Sequence, residues 1–444
     1  MILNRLALVA ALSVAACDAS TPVAILPTSQ VSGFCAGGGP AIIVGDGITV
    51  GEGDGTDDDV CSGAIARRTF RFALCLCEDY QTSTPLTTDS FSSSAGPYNP
   101  AAPGKLGSVG VNSDVVSNAD IDVHGSLWAG RVGAQVGKRL AVSGDMMYAG
   151  GISGGGSVVV GNDAMVLGSI ALGGELTVGG QLVMPAGTTV SANPQNATVT
   201  TGNPPVNQPC ACGSDDLVDI KGFIEPHRDV NDNAAINLSR SALAGFTGKV
   251  ELALPCGTYY LDTVDGNTDA ELTLRAKGRV VLFVNGDMNL KGPLHVVLDP
   301  DAELDLFVGG LLQSIGPIDF GDPTRPSKAR LYIGGSGTIN LSGNSVLAGN
   351  LYAPLARLAL SGGVELFGSL FLNTLTQAAP VTVHYDTDVL TADQGCPAST
   401  GACRTCLDCG GQACNTGTCG MCASSADCCA PLVCDTAVGA CVQH

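Results

Sequence analysis

Charge is scarce in this 444-residue chain: Asp, Glu, Lys and Arg make up 14% of it, where an ordinary soluble domain carries about a quarter. Basic residues are the scarcer sign, 21 against 41 acidic, for a net charge of -20. That balance repels a phosphate backbone and leaves no counterion release to drive binding, which argues against nucleic acid as a partner. Large rings are few, with 11 Phe, 8 Tyr and 1 Trp, so a core must be filled by Val, Ile, Leu and Ala. The 5 histidines are isolated from one another and form no ligand cluster in sequence. Beyond the first seventeen residues no apolar run is long enough for a membrane-spanning helix. In excess are glycine, 60 residues, and cysteine, 19 residues. The cysteines crowd the end of the chain from Cys396 onward, a density that does not suit a reducing compartment and fits an exported, oxidised protein.

Residues 1–17 combine Arg5, an apolar stretch from Leu6 to Leu12, and Val14-Ala15-Ala16-Cys17. This reads as a signal peptide, too short to span as a helix. Its end resembles a bacterial lipobox, which implies that Cys17 becomes the lipid-bearing first residue of the mature chain; a plain secretory signal cut at or after Asp18 is the alternative. Attached acyl chains hold a soluble domain at a membrane face. Asp18 resembles an inner-membrane retention signal, but such sorting varies between bacteria. The expected location is the bacterial cell envelope, lipid-anchored, at the outer membrane or cell surface in preference to the inner membrane.

The glycines recur with a period. Val-x-Gly-x-(Leu or Met) occurs at Val123 to Leu127, Val142 to Met146 and Val178 to Leu182, with a degraded copy at Val159 and Gly161, and again at Val284 to Met288 and Val308 to Leu312. Leu341-Ser342-Gly343 returns as Leu360-Ser361-Gly362, followed in register by Leu347 and Leu366, Gly349 and Gly368, Leu351 and Leu370, and Tyr352 and Phe371. A fixed period of this size signals a solenoid. Each unit alternates a few aliphatic residues and then reaches Gly, Asn or Asp, which is strand followed by turn. Three strands and three corners fill one coil of about 18–19 residues. The expected fold is therefore all-β: a right-handed, single-stranded β-helix whose stacked coils bury a face that no coil buries alone. A Gly-rich disordered or sandwich-like β segment is the competing fold.

The expected divisions are a signal peptide (1–17), an N-terminal linker and cap region (18–105), a first β-helix section (106–190), an insertion (191–255), a second β-helix section (256–390) and a cysteine-rich module (391–444). The insertion opens with Asn193, Pro194, Asn203, Pro204 and Pro205. Leu217, Ile220, Phe223 and Ile224 follow helical spacing behind Ser214 as an N-cap candidate, so a short helix is expected there.

The cysteines divide into Cys17, seven in the body (Cys35, Cys61, Cys75, Cys77, Cys210, Cys212 and Cys256), and eleven in the tail: Cys396, Cys403, Cys406, Cys409, Cys414, Cys419, Cys422, Cys428, Cys429, Cys434 and Cys441. A tail this poor in strands builds no core of its own and needs staples. The run Cys403-x-x-Cys406-x-x-Cys409 approaches a ferredoxin motif, but the fourth cysteine follows by four residues and Asn415 stands where proline is expected. Disulfides are favoured over metal. Both counts are odd, so either one bridge joins tail to body or two thiols stay free. The vicinal pair Cys428-Cys429 resembles knottin-like modules, where neighbouring cysteines reach different partners.

Several phrases together resemble an uncharacterised domain of bacterial envelope lipoproteins and pilus- or adhesin-associated proteins, with coils similar to those of bactofilins. They are Thr88-Asp89-Ser90-Phe91, Gly96-Pro97-Tyr98, Pro255-Cys256-Gly257-Thr258-Tyr259-Tyr260, Leu282-Phe283-Val284-Asn285-Gly286-Asp287, Gly349-Asn350-Leu351-Tyr352-Ala353-Pro354 and Val383-His384-Tyr385-Asp386, within about residues 70 to 390. The resemblance implies a β-helix at a cell surface and carries over no enzymatic residues. The export signal, the insertion and the many cysteines depart from bactofilins.

Motifs for chemistry are weak. Gly151-Ile-Ser153-Gly-Gly155 satisfies G-x-S-x-G but lies among solenoid corners. Asp265-x-Asn267-x-Asp269 and Asp229-x-Asn231-x-Asn233 begin like calcium loops and lack the glycine and final acid. The acidic run from Asp54 to Asp59 reads as a solvated loop, and His384 as an outward strand residue. Asp301, Glu303 and Asp305 alternate and would share a face, as acids of a polysaccharide-active β-helix enzyme would. The expectation is a non-enzymatic envelope protein with a structural, adhesive or partner-binding role, its partners the membrane and an envelope glycan or surface protein, with no cofactor and no metal. The alternatives are a polysaccharide lyase or hydrolase, and a stalk displaying an inhibitor- or toxin-like knot. The oligomeric state is not legible.

Overall fold

The structure, a computed structural model, describes residues 35, 42–44, 59–130, 133–203, 206–394, 396, 403, 405–409 and 412–442. Cys17, the expected signal segment and the acidic run as far as residue 58 lie outside the described residues.

The aliphatic units wind into a parallel β-solenoid of about 14 turns. Each turn gives one strand to each of three ladders, and alternation along every strand turns one set of side chains into the shaft. One inward column runs Leu282, Leu306, Leu331, Leu351, Leu370, Leu74, Val109, Leu127 and Met146, each over the last. All are 2% exposed or less, and each such leucine contributes roughly 1.5–3 kcal/mol by leaving water. Corner carboxylates and hydroxyls tie successive turns together: Asp163 N–H donates to Asp145 one turn below, and Gln181 N–H to Asp163. Glycine is required where corners nearly touch. Gly368 has φ +114°, and a Cβ there would lie 2.4 Å from the Gly349 carbonyl oxygen.

The period is not uniform. Corner bonds in the turns between residues 120 and 181 join residues 18 or 19 apart, as expected, whereas Leu311 N–H reaches Asp287 across a separation of 24. Turns between about 256 and 340 are thus longer than the expected 18–19. The degraded repeat also shifts by one residue: Val160, not Val159, pairs with Val142 and Val178 and points inward.

Stack order and chain order differ. The turns of residues 244–386 form one half, and residues 74–201 form the other. The halves meet where Leu370–Gln377 pairs with Leu74–Leu76 and Val381–Asp386 pairs with Leu86–Phe91. The stretch expected to be an N-terminal linker and cap (18–105) therefore supplies a complete turn at the middle of the stack, preceded by the helix Ser62–Thr69. The expected insertion (191–255) likewise holds both end turns, Gln195–Thr201 and Lys249–Leu254. Pro194 sits just before its strand, where a missing N–H costs nothing in the ladder.

Residues 206–243 connect the two ends by running back along the outside of the stack. Outward of the leucine column stand Tyr260, Phe283, Phe307, Tyr332, Tyr352 and Phe371, again in register. The returning strap covers them. His227 stacks on Phe283 with ring centroids 4.0 Å apart, Phe223 packs on Phe307 at 6.0 Å, and Val218 N–H donates to the Tyr352 hydroxyl at 3.0 Å. Burial pushes the His227 pKa down, opposed by its bond to the Phe223 carbonyl. The expected helix is present as Ile220–Ile224, capped by the Asp219 side chain rather than by Ser214. Cys75–Cys210 and Cys77–Cys212 pin the strap near mid-stack.

The tail folds as two antiparallel hairpins, Ala413–Asn415 with Thr418–Gly420 and Val433–Asp435 with Ala440–Val442. Bridges Cys403–Cys414, Cys406–Cys429, Cys409–Cys419, Cys422–Cys434 and Cys428–Cys441 hold it. The vicinal cysteines thus reach different partners. Cys35–Cys256 lies within the body, and Cys61–Cys396 joins body to tail, which leaves Cys17 as the one cysteine outside nine bridges. The module rests on the flank of the stack: Arg71 donates to the Ala430 carbonyl, and Leu390 packs beside Ala413 and Leu432. Proteolysis between Thr387 and Gln394 is expected to leave two fragments that migrate together on non-reducing gels and separate on reduction. Separation without reductant would disprove the Cys61–Cys396 bridge.

Candidate functional site

Where the two halves of the stack meet, four residues from two distant stretches of sequence converge. His384 ends the last turn and Asp89 lies beside it on the paired strand. The imidazole Nδ1 is 2.8 Å from Asp89 Oδ1, and the Tyr98 hydroxyl donates to Asp89 Oδ2 at 2.7 Å. The Tyr98 ring lies 3.9 Å from the imidazole, between centroids. Burial, reinforced by the bond to Asp89, raises the Tyr98 pKa, so the phenol stays protonated and donating. His384 is on the outward side of its strand, as expected, but the loop carrying Tyr98 covers it and leaves it 6% exposed. Its Nε2 faces Glu365 at 3.9 Å. The cluster clasps the cover loop to the seam.

The alternating acids are also placed differently from expectation. Asp301 sits in a turn with φ 64°. Asp305 is buried and takes a two-pronged contact from Arg330, 2.6 Å from Nε and 3.1 Å from Nη2. Glu303 bonds Arg330 Nη2 at 2.8 Å and Lys328 Nζ at 2.7 Å. Burial alone would raise the Glu303 pKa, but Arg330 and Lys328 hold it down at about 2. Burial likewise opposes the charge of Arg330, and Asp305 and Glu303 raise its pKa well above the usual value. Glu303 and Asp305 are thus bound in an ion-pair network, Asp301 lies apart from them in a turn, and the three do not share an open face. The remaining motifs are structural in the same way: Ser153 Oγ bonds the Ala134 carbonyl on a neighbouring turn, Asn267 the Gly245 carbonyl, and Asn231 the His227 carbonyl.

The third ladder carries a feature that no motif announced. Asp265, Asn289 and Gln313 stand one above another on Val264–Gly266, Met288–Leu290 and Leu312–Ser314. With Asn340, Lys291 and Ile315 they line an open groove of about 530 Å³. Among the described residues, the side chains of Asp265, Asn289, Lys291, Gln313 and Asn340 make no hydrogen bond or ion pair. Buried amides elsewhere are engaged: Asn112 bonds both backbone groups of Cys210, Asn233 both of Tyr260, and Asn350 the Pro326 carbonyl. Ile315 beside the row is 78% exposed. The signal in sequence was one polar residue at the centre of each short strand, which reads as ordinary strand alternation until the turns are stacked.

Residues 213–391 match the model of a Domain of unknown function (DUF7305), under half of the chain. The match takes in most of the strap and the half of the stack from residue 244 to 386, and omits the half from 74 to 201. No curated protein and no solved structure matches the chain.

Proposed function

We propose that the protein is a lipid-anchored component of a bacterial cell envelope, with a non-catalytic structural, adhesive or partner-binding role. The observation that supports this most is the bridge pattern. Nine disulfides pair eighteen cysteines, including one that ties the tail to the body, as suits a particle that must persist in an oxidising exterior. Cys17 is left over for a different chemistry, the thioether to lipid that its sequence context implies. The bactofilin-like resemblance belongs to the same reading, with the solenoid as a rigid scaffold. A protein or glycan of the envelope is the proposed partner.

The position of the tail favours a scaffold over a stalk. Cys61, the start of the first helix and the tail module lie together on the flank at mid-stack, and Cys35, closer to the proposed anchor, is bridged to Cys256 beside the end strand Lys249–Leu254, so the module lies against the body and is not held out at its tip. Cys17→Ser is expected to move the protein from the membrane to the soluble fraction when cells are fractionated, while the purified variant keeps the β-rich circular dichroism of the parent. Equal sedimentation of variant and parent with membranes would refute the anchor.

A further inference from the structure

The groove on the third ladder points to a ligand of definite chemistry. Successive turns of a solenoid rise by about 4.8 Å, the strand spacing of any sheet, so Asp265, Asn289 and Gln313 repeat at that interval along the axis. The rise matches closely that of one hexose in an extended polysaccharide. A carboxamide offers two donors and an acceptor in one plane, which suits the vicinal hydroxyls of a sugar. Ile315, exposed at the groove's edge, supplies an apolar contact for the C–H face of a ring. One acid and one base, Asp265 and Lys291, balance within the site, whereas the chain as a whole carries -20 and repels polyanions. From these features we infer that the groove is a binding site for a neutral, extended polysaccharide lying parallel to the stack, one sugar per turn.

The site deepens the adhesive reading and rests on it only for the biological source of the glycan. Amides left without protein partners are satisfied by water in the free protein, so binding exchanges water bonds for sugar bonds. The net gain per contact is therefore small, and affinity accumulates with the number of turns engaged. Specificity for a repeating ligand follows from that summation.

The experiment uses the full chain and soluble cello-, chito- and malto-oligosaccharides of two to six residues, measured by calorimetry. For at least one series, affinity should rise with each added residue up to about four, the number of turns lining the groove. Combining Asn289→Ala with Gln313→Ala should weaken it about tenfold or more, as expected for two neutral hydrogen bonds. Gln135→Ala, on the same ladder in the other half of the stack, should leave it unchanged. Binding that does not grow with length, or that survives the double substitution, would overturn the site. Isolated envelope fragments serve as a second probe. Wild-type protein that binds fragments but no oligosaccharide refutes the groove and leaves the adhesive reading standing. Wild-type protein that binds oligosaccharides but not fragments does the reverse.

Discussion

Removal of both strap bridges, by Cys75→Ala with Cys77→Ala and Cys210→Ala with Cys212→Ala, is expected to destabilise the protein by about 3–5 kcal/mol, while removal of either bridge alone costs well under half of that. Each bridge spans 135 residues, a loop whose closure restricts the unfolded chain strongly. The two loops are nearly the same loop, however. Once Cys75 is tied to Cys210, the ends that Cys77 and Cys212 must bring together are two residues away, and the second bridge removes little further entropy. Urea titration of the single and double deletions checks this, with deletion variants used throughout so that no unpaired thiol reshuffles. Additive losses from the two bridges would show that they act locally instead, by holding the strap against its turn. Strap loss also has a specific consequence. Phe283, Phe307 and Tyr352 face outward beneath residues 206–243, so the doubly deleted variant should bind an apolar dye before its β signal falls.

The repeat was legible because it is local. Leu341 and Leu360, or Tyr352 and Phe371, announce their register within one turn of sequence, and the structure pairs them accordingly. The longer turns around Asp287 were missed because a corner of variable length disturbs the spacing without disturbing the strands. Nothing local announces that Val381–Asp386 lies on Leu86–Phe91. Parallel strands with alternating aliphatic residues are interchangeable partners, so the half of the stack that closes on the other is specified by the strap, the helix Ser62–Thr69 and the Asp89, Tyr98 and His384 clasp acting together. Asn193 and Pro194 looked like an interruption of the coils because proline breaks a ladder, and just before an end strand it breaks nothing.

Cysteine spacing told where bridges belong but not which sulfurs join, since pairing depends on the fold that the bridges themselves stabilise. Cys61 and Cys396 are 335 residues apart in sequence and meet because the helix Ser62–Thr69 and the segment 387–394 pack together on the flank, where Arg67 pairs with Asp393. The candidate sites divide on similar grounds. Asp301, Glu303 and Asp305 were visible as an alternating row, yet Arg330, the partner of Glu303 and Asp305, lies a full turn later, and only stacking shows those two acids to be part of an ion-pair network. Asn289 and Gln313 were invisible for the opposite reason, as isolated amides that become a row when turns of 24 residues are superposed.

Arg330→Met is expected to destabilise the body by about 3–5 kcal/mol, since it leaves Asp305 buried without its partner. Arg330 and Asp305 are each 2% exposed at the side chain, so water cannot replace the lost bonds. Adding Asp305→Leu should recover most of the loss, because a buried ion pair and a well-packed apolar pair of similar volume differ little in stability. The pH dependence separates this account from simple loss of packing. In the wild type Glu303 is held at about 2, against an ordinary 4.5. Its contribution is therefore present in full above about pH 4.5 and is lost as the pH falls toward 2. Without Arg330 the downward pull on Glu303 weakens and burial opposes it more effectively, so the variant has less stability to lose over that range. The gap between wild type and Arg330→Met should accordingly narrow from pH 5 to pH 2.5 in thermal denaturation followed by circular dichroism. A gap that stays constant across those pH values would mean that Arg330 matters for its volume and its bond to the Ser327 carbonyl, and that the charges on Glu303 and Asp305 contribute nothing to holding the turns together.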